Sequence, residues 1–411
     1  MRIIRALIFP LQKVLFKLII VALKLGRLFV PLPRPTVYSG PGASIQLCKA
    51  IGHFGIKRVL IVTDPMISKL GLLDNITLGL EKSGVGWDIY DGVEPDPSYE
   101  IIEEGLVAVK SCSSDAILAI GGGSSIDTAK VISVRATNED KSVEQLAGIL
   151  KVKNPGMPLF VIPTTAGTGS EATVAAVVSD PKTREKMVVI DPKVIPGVAA
   201  LDPELMTGLP PGITAATGMD ALTHAVEAYI STIATEETDN YARAAVKMIL
   251  QNLHRACENG EDLQARDAMA MASFYAGLAF NQTSLGYVHA IAHQFGAFYQ
   301  TPHGLANAIV LPHILDFSLG ATEPRLAELA IDTGLGAAEE SDRELAHKFV
   351  SEIKRLCSKL DIPEKLDALE QKDIPAIVSG ALKEAHYQYP VPKYMNRDQC
   401  ELIVSRMLPS A

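Results

Sequence analysis

Between Val37 and about Gly208 the chain alternates short runs of β-branched and aliphatic residues with stretches of helical periodicity. After Gly208-Leu209-Pro210-Pro211-Gly212 the strand signal stops and alanine-rich helical periodicity takes over. Strands that alternate with helices assemble into a parallel sheet, because each parallel crossover needs a connection long enough to hold a helix. Arg58-Val59-Leu60-Ile61-Val62-Thr63-Asp64 reads as a buried strand ending in an acidic residue, with Ala116 to Ile120 and Leu159 to Pro163 as two more. Beyond the Gly/Pro punctuation, Ala221 to Ile230, Tyr241 to Leu253 and Arg266 to Phe280 read as helices. A chain of 411 residues with 48% hydrophobic content has room for two cores. The expected division is a head over 1–35, an α/β domain over 36–208 and an all-helical domain over 209–411.

The head is unlike the rest. Arg2, Arg5, Lys13, Lys17, Lys24, Arg27 and Arg34 give it seven positive charges with no acidic residue, which leaves 31 Lys+Arg against 47 Asp+Glu in the remainder. An acidic body excludes a general nucleic-acid binder and favours small-molecule chemistry. The lysines cut the apolar runs well below the ~20 residues of a spanning helix. As a helix, the head collects Arg2, Arg5, Lys13, Lys17, Lys24 and Arg27 on one arc, with Leu7, Leu11, Val14, Leu15, Leu18 and Ala22 opposite. Three readings stand side by side: a helix lying in a membrane interface, an extra helix packed on the body or a partner subunit, and an export or organelle signal. Pro10 would kink the helix, and Pro31, Pro33 and Pro35 make a stiff connector. Cys48, Cys112, Cys257, Cys357 and Cys400 are scattered and odd in number, which points to neither a disulfide framework nor a zinc-thiolate site but to a reducing, cytoplasmic setting.

Two loops suit a nucleotide. Gly121-Gly122-Gly123-Ser124-Ser125-Ile126-Asp127 joins a strand to a helix, where small residues and unpaired helix N–H groups can cradle a phosphate. The competing reading is a tight turn with Ser124 or Ser125 capping the helix. Asp64, at a strand end, can bond a ribose hydroxyl and repel a 2′-phosphate, favouring NAD over NADP, or can simply cap the next helix. Pro163 to Glu171 is dense in hydroxyls and is either a cofactor loop or a polar turn.

Asp220 and His224 stand four apart within a helical stretch, His289 and His293 repeat that spacing, and His303 follows in Pro302-His303-Gly304. Side chains four apart project from one helix face. An oxygen and nitrogen donor set of this kind suits Fe(II), Zn(II), Co(II) or Mn(II). Taken singly, each histidine could be an ordinary core residue.

The segments Gly121–Lys130, Pro163–Glu171, Gly218–Tyr229 and Gly286–His313 together resemble the iron-containing (group III) alcohol dehydrogenases, from about Val37 to the C-terminal region. The resemblance implies a Rossmann-like α/β domain binding NAD, an all-helical metal-binding domain as in dehydroquinate synthase, and a cleft between them. It implies a metal, Fe(II) or alternatively Zn(II), held by Asp220, His224, His289 and His303, with His293 near the nicotinamide ribose and the substrate rather than among the ligands; as an imidazole there, His293 is the expected catalytic residue that passes the alcohol proton on. Implied cofactor contacts are Asp64, Gly122, Gly123, Ser124, Asp127, Thr164, Thr165, Thr168, Lys186 and Leu205. Partners implied are a small alcohol or aldehyde and further copies of the chain. Two departures stand out: Asp96 in Glu94-Pro95-Asp96-Pro97 where many members carry Asn, and Val391-Pro392-Lys393 in place of Asn-Pro-Arg. Rival readings are a dehydroquinate synthase-like lyase and a membrane-attached, non-catalytic binding protein.

Overall fold

The computed structural model describes residues 2–27, 30–180 and 186–409, with backbone alone at 2–8 and 27. The Arg2, Arg5, Leu7 and Arg27 side chains of the expected head pattern therefore lie outside the described set. Among the described residues nine strands form: β1 (Thr36–Ser39), β2 (Arg58–Val62), β3 (Gly86–Tyr90), β4 (Ala116–Gly121), β5 (Gly148–Ile149), β6 (Leu159–Pro163), β7 (Ala175–Ser179), β8 (Lys186–Ile190) and β9 (Val198–Leu201). Six make one parallel sheet in the order β1-β9-β6-β4-β2-β3, and β5-β8-β7 make a smaller one.

The strands read from sequence are buried on both faces. Leu60, Val62, Ile117, Ala119 and Val161 enter one apolar layer, and Val59, Ile61, Leu118, Ile120 and Ile162 enter the other. Alternation of side chains across a strand produces this split, and it explains why the runs are apolar throughout rather than at every second residue. Setting β1 aside, the sheet grows in opposite directions from β2 and β4. In doubly wound folds the crevice beyond the carboxyl ends of two such strands is the ligand position. Asp64 follows β2 and Gly122 follows β4, so the two loops singled out from sequence flank that point.

By its internal contacts the chain divides into two units, and their membership differs from the expected boundaries in two places. Asn259–Gly277 groups with Pro31–Leu209, and the head up to Val30 groups with Pro210–Glu258 and Leu278–Ala411. The first difference has a clear cause. Arg266 donates to the Gly260 and Leu209 carbonyls, and Gly169 packs so close to Gly277 that an added Cβ would lie 2.8 Å from its Cα.

The second unit is built from helices, among them Pro211–Tyr229, Glu236–Glu258, Tyr287–Tyr299, His303–Asp332, Asp342–Lys359 and Ile374–Gln388. Among the described residues His303–Asp332 alone is long and apolar enough to cross a bilayer, and half of that stretch is buried within the fold. It is a core helix. The head forms one helix, Arg2–Arg27, with Pro10 inside it.

Candidate metal centre and nucleotide cradle

The cradle forms where β4 gives way to the helix Gly123–Thr137. Gly121 holds φ +147, and a Cβ there would fall 2.4 Å from Ser125 Oγ, so only glycine fits. The helix is capped by Gly122 in an extended conformation with no side-chain cap. Neither Ser124 nor Ser125 does the capping that the tight-turn reading required, and the first-turn N–H groups face outward at the positive end of the helix. Thr63 Oγ1 donates to Ile120 O at 2.7 Å, and Thr164 N to Gly121 O at 2.9 Å. These bonds draw the loops after β2, β4 and β6 together. Thr165 and Thr168 lie beside the glycines: a Cβ on Gly122 would stand 3.5 Å from Thr165 Oγ1, and one on Gly123 2.8 Å from Thr168 Cγ2.

Asp64 does what its plainer reading said, accepting from Met66 N and Ile67 N through Oδ1. Its Oδ2 lies toward Gly121, which leaves that oxygen on the cradle side. Asp127 is committed within the protein: Oδ1 accepts from Ser170 Oγ at 2.5 Å and Oδ2 from Val177 N at 2.9 Å. It fixes the loop over the cradle. Buried Lys130 gives its protons to Thr173 O, Thr173 Oγ1 and Ala175 O, bracing that loop from below. Lys186 Nζ pairs with Asp96 Oδ1 at 2.8 Å, so one expected cofactor contact meets one of the two family departures. Leu205, within the turn Pro203–Met206, packs against the sheet's apolar layer.

Gly122 offers a test of the cradle. Its backbone conformation is open to any residue, and an added Cβ meets only ordinary contacts. Gly122→Ala is expected to leave the thermal midpoint unchanged while weakening NAD binding at least about tenfold by crowding a close-packed pyrophosphate. Unchanged affinity by calorimetry would return this loop to an ordinary turn.

In the helical unit, Pro211–Tyr229 presents Asp220 and His224 one turn apart, Tyr287–Tyr299 carries His289 and His293, and His303 opens the helix His303–Asp332. Asp220 Oδ1 lies 3.5 Å from His303 Nε2, 3.7 Å from His289 Nε2 and 3.9 Å from His224 Nε2. One donor atom from each of the four lies within 4.8 Å of all the others. Four donors held about 2.1 Å from one ion stand roughly 3.4 Å apart, so this spacing suits a metal after slight contraction.

Buried His289 Nε2 has no hydrogen-bond partner. Such an orphan is costly, and a metal ion at this point would resolve it. The opposite nitrogen, Nδ1, bonds Glu227 Oε2 at 2.6 Å, and Glu227 also accepts from Gly286 N and Val288 N. A carboxylate behind a metal-facing imidazole fixes the tautomer and turns the Nε2 lone pair inward. Gly286 has to be glycine, since a Cβ there would fall 2.5 Å from Glu227 Oε1. The His224 ring is stacked between Phe280 and His289, and Asn307 donates to Asp220 Oδ1 at 2.7 Å.

The charges match the geometry. Burial by itself would raise the Asp220 pKa, but the imidazoles of His224, His303 and His289 hold the carboxyl well below its ordinary range. Burial would lower His289, yet the bond to Glu227 and the negative charges of Glu227 and Asp220 lift it to about 9 in the metal-free chain. An ion would have to displace that proton. Glu227→Gln keeps the size but loses the charge, and is expected to weaken metal affinity about 10–100-fold, read by competition with a chromogenic chelator.

His293 stays outside the cluster. Its ring stacks on His303 at 5.3 Å, 30% of its side chain is exposed, and Nδ1 bonds Glu384 Oε1 at 2.7 Å. Tyr389 donates to the same oxygen. Burial would raise Glu384, but the bond and charge of His293, the bond from Tyr389 and the charge of His289 together outweigh it and the pKa is lowered. Glu227, Asn307, Glu384 and Tyr389 were not picked out from sequence. Glu227 carried a signal, standing three after His224 on the same helix, as did Asn307, four after His303. Glu384 and Tyr389 carried none, since tertiary packing brings them in.

Comparison with known proteins places these features. A family described as iron-containing alcohol dehydrogenase matches residues 34–203, and the C-terminal part of the Fe-containing alcohol dehydrogenase family matches 214–408. Alcohol dehydrogenase 4 of Schizosaccharomyces pombe is 43% identical over 352 residues, 84% of this chain and 81% of its own length. NAD-dependent methanol dehydrogenase of Bacillus methanolicus is 38% identical over 358 residues, 87% and 93% of the two chains. A crystal structure of 1,3-propanediol oxidoreductase superposes with TM-score 0.88 at 38% identity, covering 92% of this chain and all of that one. The head precedes the family match.

Proposed function

The chain belongs to the iron-containing alcohol dehydrogenase family, and from that premise we propose that it exchanges hydride between NAD and a small alcohol or its aldehyde at the Asp220, His224, His289 and His303 cluster. The observation that carries this reading is the buried, unpartnered His289 Nε2 among three other convergent donors. The donor set fits a divalent ion of the Fe(II) or Zn(II) type, with Fe(II) the proposed occupant. Once bound, the ion supplies Lewis-acid polarisation of the substrate oxygen.

The chain's own residues do the rest. Asp220 contributes the one negative charge in the cluster, and Glu227 and Asn307 hold the ligands in place. His293, with Nδ1 engaged by Glu384, keeps Nε2 for the alcohol proton and releases it through its exposed edge. Bound NAD would supply the hydride acceptor, so that oxidation would yield the carbonyl compound, NADH and one proton. Gly122, Gly123 and Ser124 would seat the pyrophosphate, with Thr164, Thr165 and Thr168 beside it. Asp64 Oδ2 would accept from the adenosine ribose and disfavour NADP. Lys186, Asp127 and Leu205 complete the proposed cofactor surroundings, Asp127 by holding the loop. None of the five cysteines is in a disulfide, in keeping with the proposed cytoplasmic setting, and assembly into a homo-oligomer is part of the proposal.

The test is NADH absorbance from metal-stripped protein given Fe(II) or Zn(II), NAD and alcohols from ethanol and 1,2-propanediol to long-chain alkanols. Metal-dependent NADH formation is expected. Absence of NADH formation from every alcohol, and of NADH consumption with the matching aldehydes, would overturn the proposal in favour of a lyase that uses NAD transiently, which forms no net NADH.

A further inference from the structure

The sequence leaves two faces on the first helix and does not say which one meets the protein. The structure does. Phe16 and Ile20 are 3% and 5% exposed, and Phe16 stacks on His386 with ring centroids 4.5 Å apart, against Tyr387 and Tyr394. Phe9 also contacts His386. At about 100° per residue, Phe9, Phe16 and Ile20 fall within the basic arc, so the helix is fastened by an aromatic seam on its charged side. Leu11, Val14, Leu15, Leu18, Val21 and Leu25 lie on the opposite arc and face outward, with Leu11 73% and Leu18 61% exposed. Lys17 and Lys24 are exposed at the border between the two arcs.

We propose that this outward face is a docking surface for an anionic lipid bilayer, holding the protein at the membrane surface with its body in water. The orientation carries the argument. Because the seam lies opposite the aliphatic arc, burying that arc among acyl chains puts the rest of the helical unit on the aqueous side without any rearrangement. Lysines at the border reach the level of the headgroup phosphates while their stems cover apolar surface. The head holds seven basic residues and no acidic one, so it complements an anionic surface. The charges that suit the headgroup region also break the apolar run, which keeps the helix from crossing. The surface lies outside the proposed chemistry and does not depend on it.

The experiment is co-sedimentation of the full chain with extruded vesicles of phosphatidylcholine alone, or with a third of the lipid replaced by phosphatidylglycerol. Binding to the anionic vesicles is expected to exceed binding to the neutral ones at least about tenfold at low salt and to fall as salt rises. Leu11→Glu with Leu18→Glu alters exposed positions only, and should reduce vesicle partitioning at least about tenfold with helicity and soluble alcohol oxidation unchanged. Failure of the unaltered chain to pellet with either vesicle would overturn the proposal. So would a larger assembly in vesicle-free buffer that the double variant breaks into smaller particles, since the face would then belong to a second copy.

Discussion

His289→Ala is expected to empty the metal site and lower kcat/KM for alcohol oxidation by at least about a thousandfold, or about 4 kcal/mol of transition-state stabilisation. The substitution removes the most deeply placed donor, whose Nε2 has no other partner, and cancels the brace that Glu227 applies through Nδ1. Glu227 still accepts from Gly286 N and Val288 N, so the local backbone keeps its bonds and the unit is expected to fold. Elemental analysis of the purified variant reads the loss directly. His303→Ala is a second route to the same result at a helix's first residue, where a lost side chain disturbs packing less. Full metal content in both variants would show that the cluster is not the binding site.

His293→Ala is expected to behave differently, with metal retained and turnover reduced about a hundredfold, the range for removing a positioned general acid or base. The physical reason is that His293 points its Nδ1 at Glu384 and stacks on His303 rather than joining the four converging donors. Glu384→Gln still offers an oxygen to Nδ1 but no charge, and should give a smaller fall of about tenfold. If His293→Ala emptied the site as His289→Ala does, the division between ligands and proton carrier would be wrong.

Much of this was readable in the chain. Strands such as Arg58–Val62 and Leu159–Pro163 announce themselves because both faces are buried and, Arg58 at the exposed start of the first aside, every residue is apolar. Of the four side chains that converge, Asp220 and His224 show as an i, i+4 pair on one helix, and His289 shares that spacing with His293, which stays outside. What escaped depends on contacts between segments distant in sequence. Nothing local marks Asn259–Gly277 as part of the α/β unit, since its placement rests on a guanidinium reaching two carbonyls and on two glycines touching. Lys186 and Asp96 look unrelated at ninety positions apart until they pair. Periodicity gave the head two faces, but only the aromatic seam with His386 shows which of them packs on the helical unit.

Because Asp220 and His224, His289 and His303 sit on three different helices, an ion among them is also a cross-link that the unfolded chain cannot reproduce. Binding to the folded form alone shifts unfolding by about 2.7 kcal/mol at a free concentration one hundred times Kd. The melting temperature should therefore climb with added Fe(II) and drop under a chelator, even in a variant too slow to assay. Metal supply would then govern the protein's lifetime as well as its rate, since copies left without an ion open more often and meet proteases first.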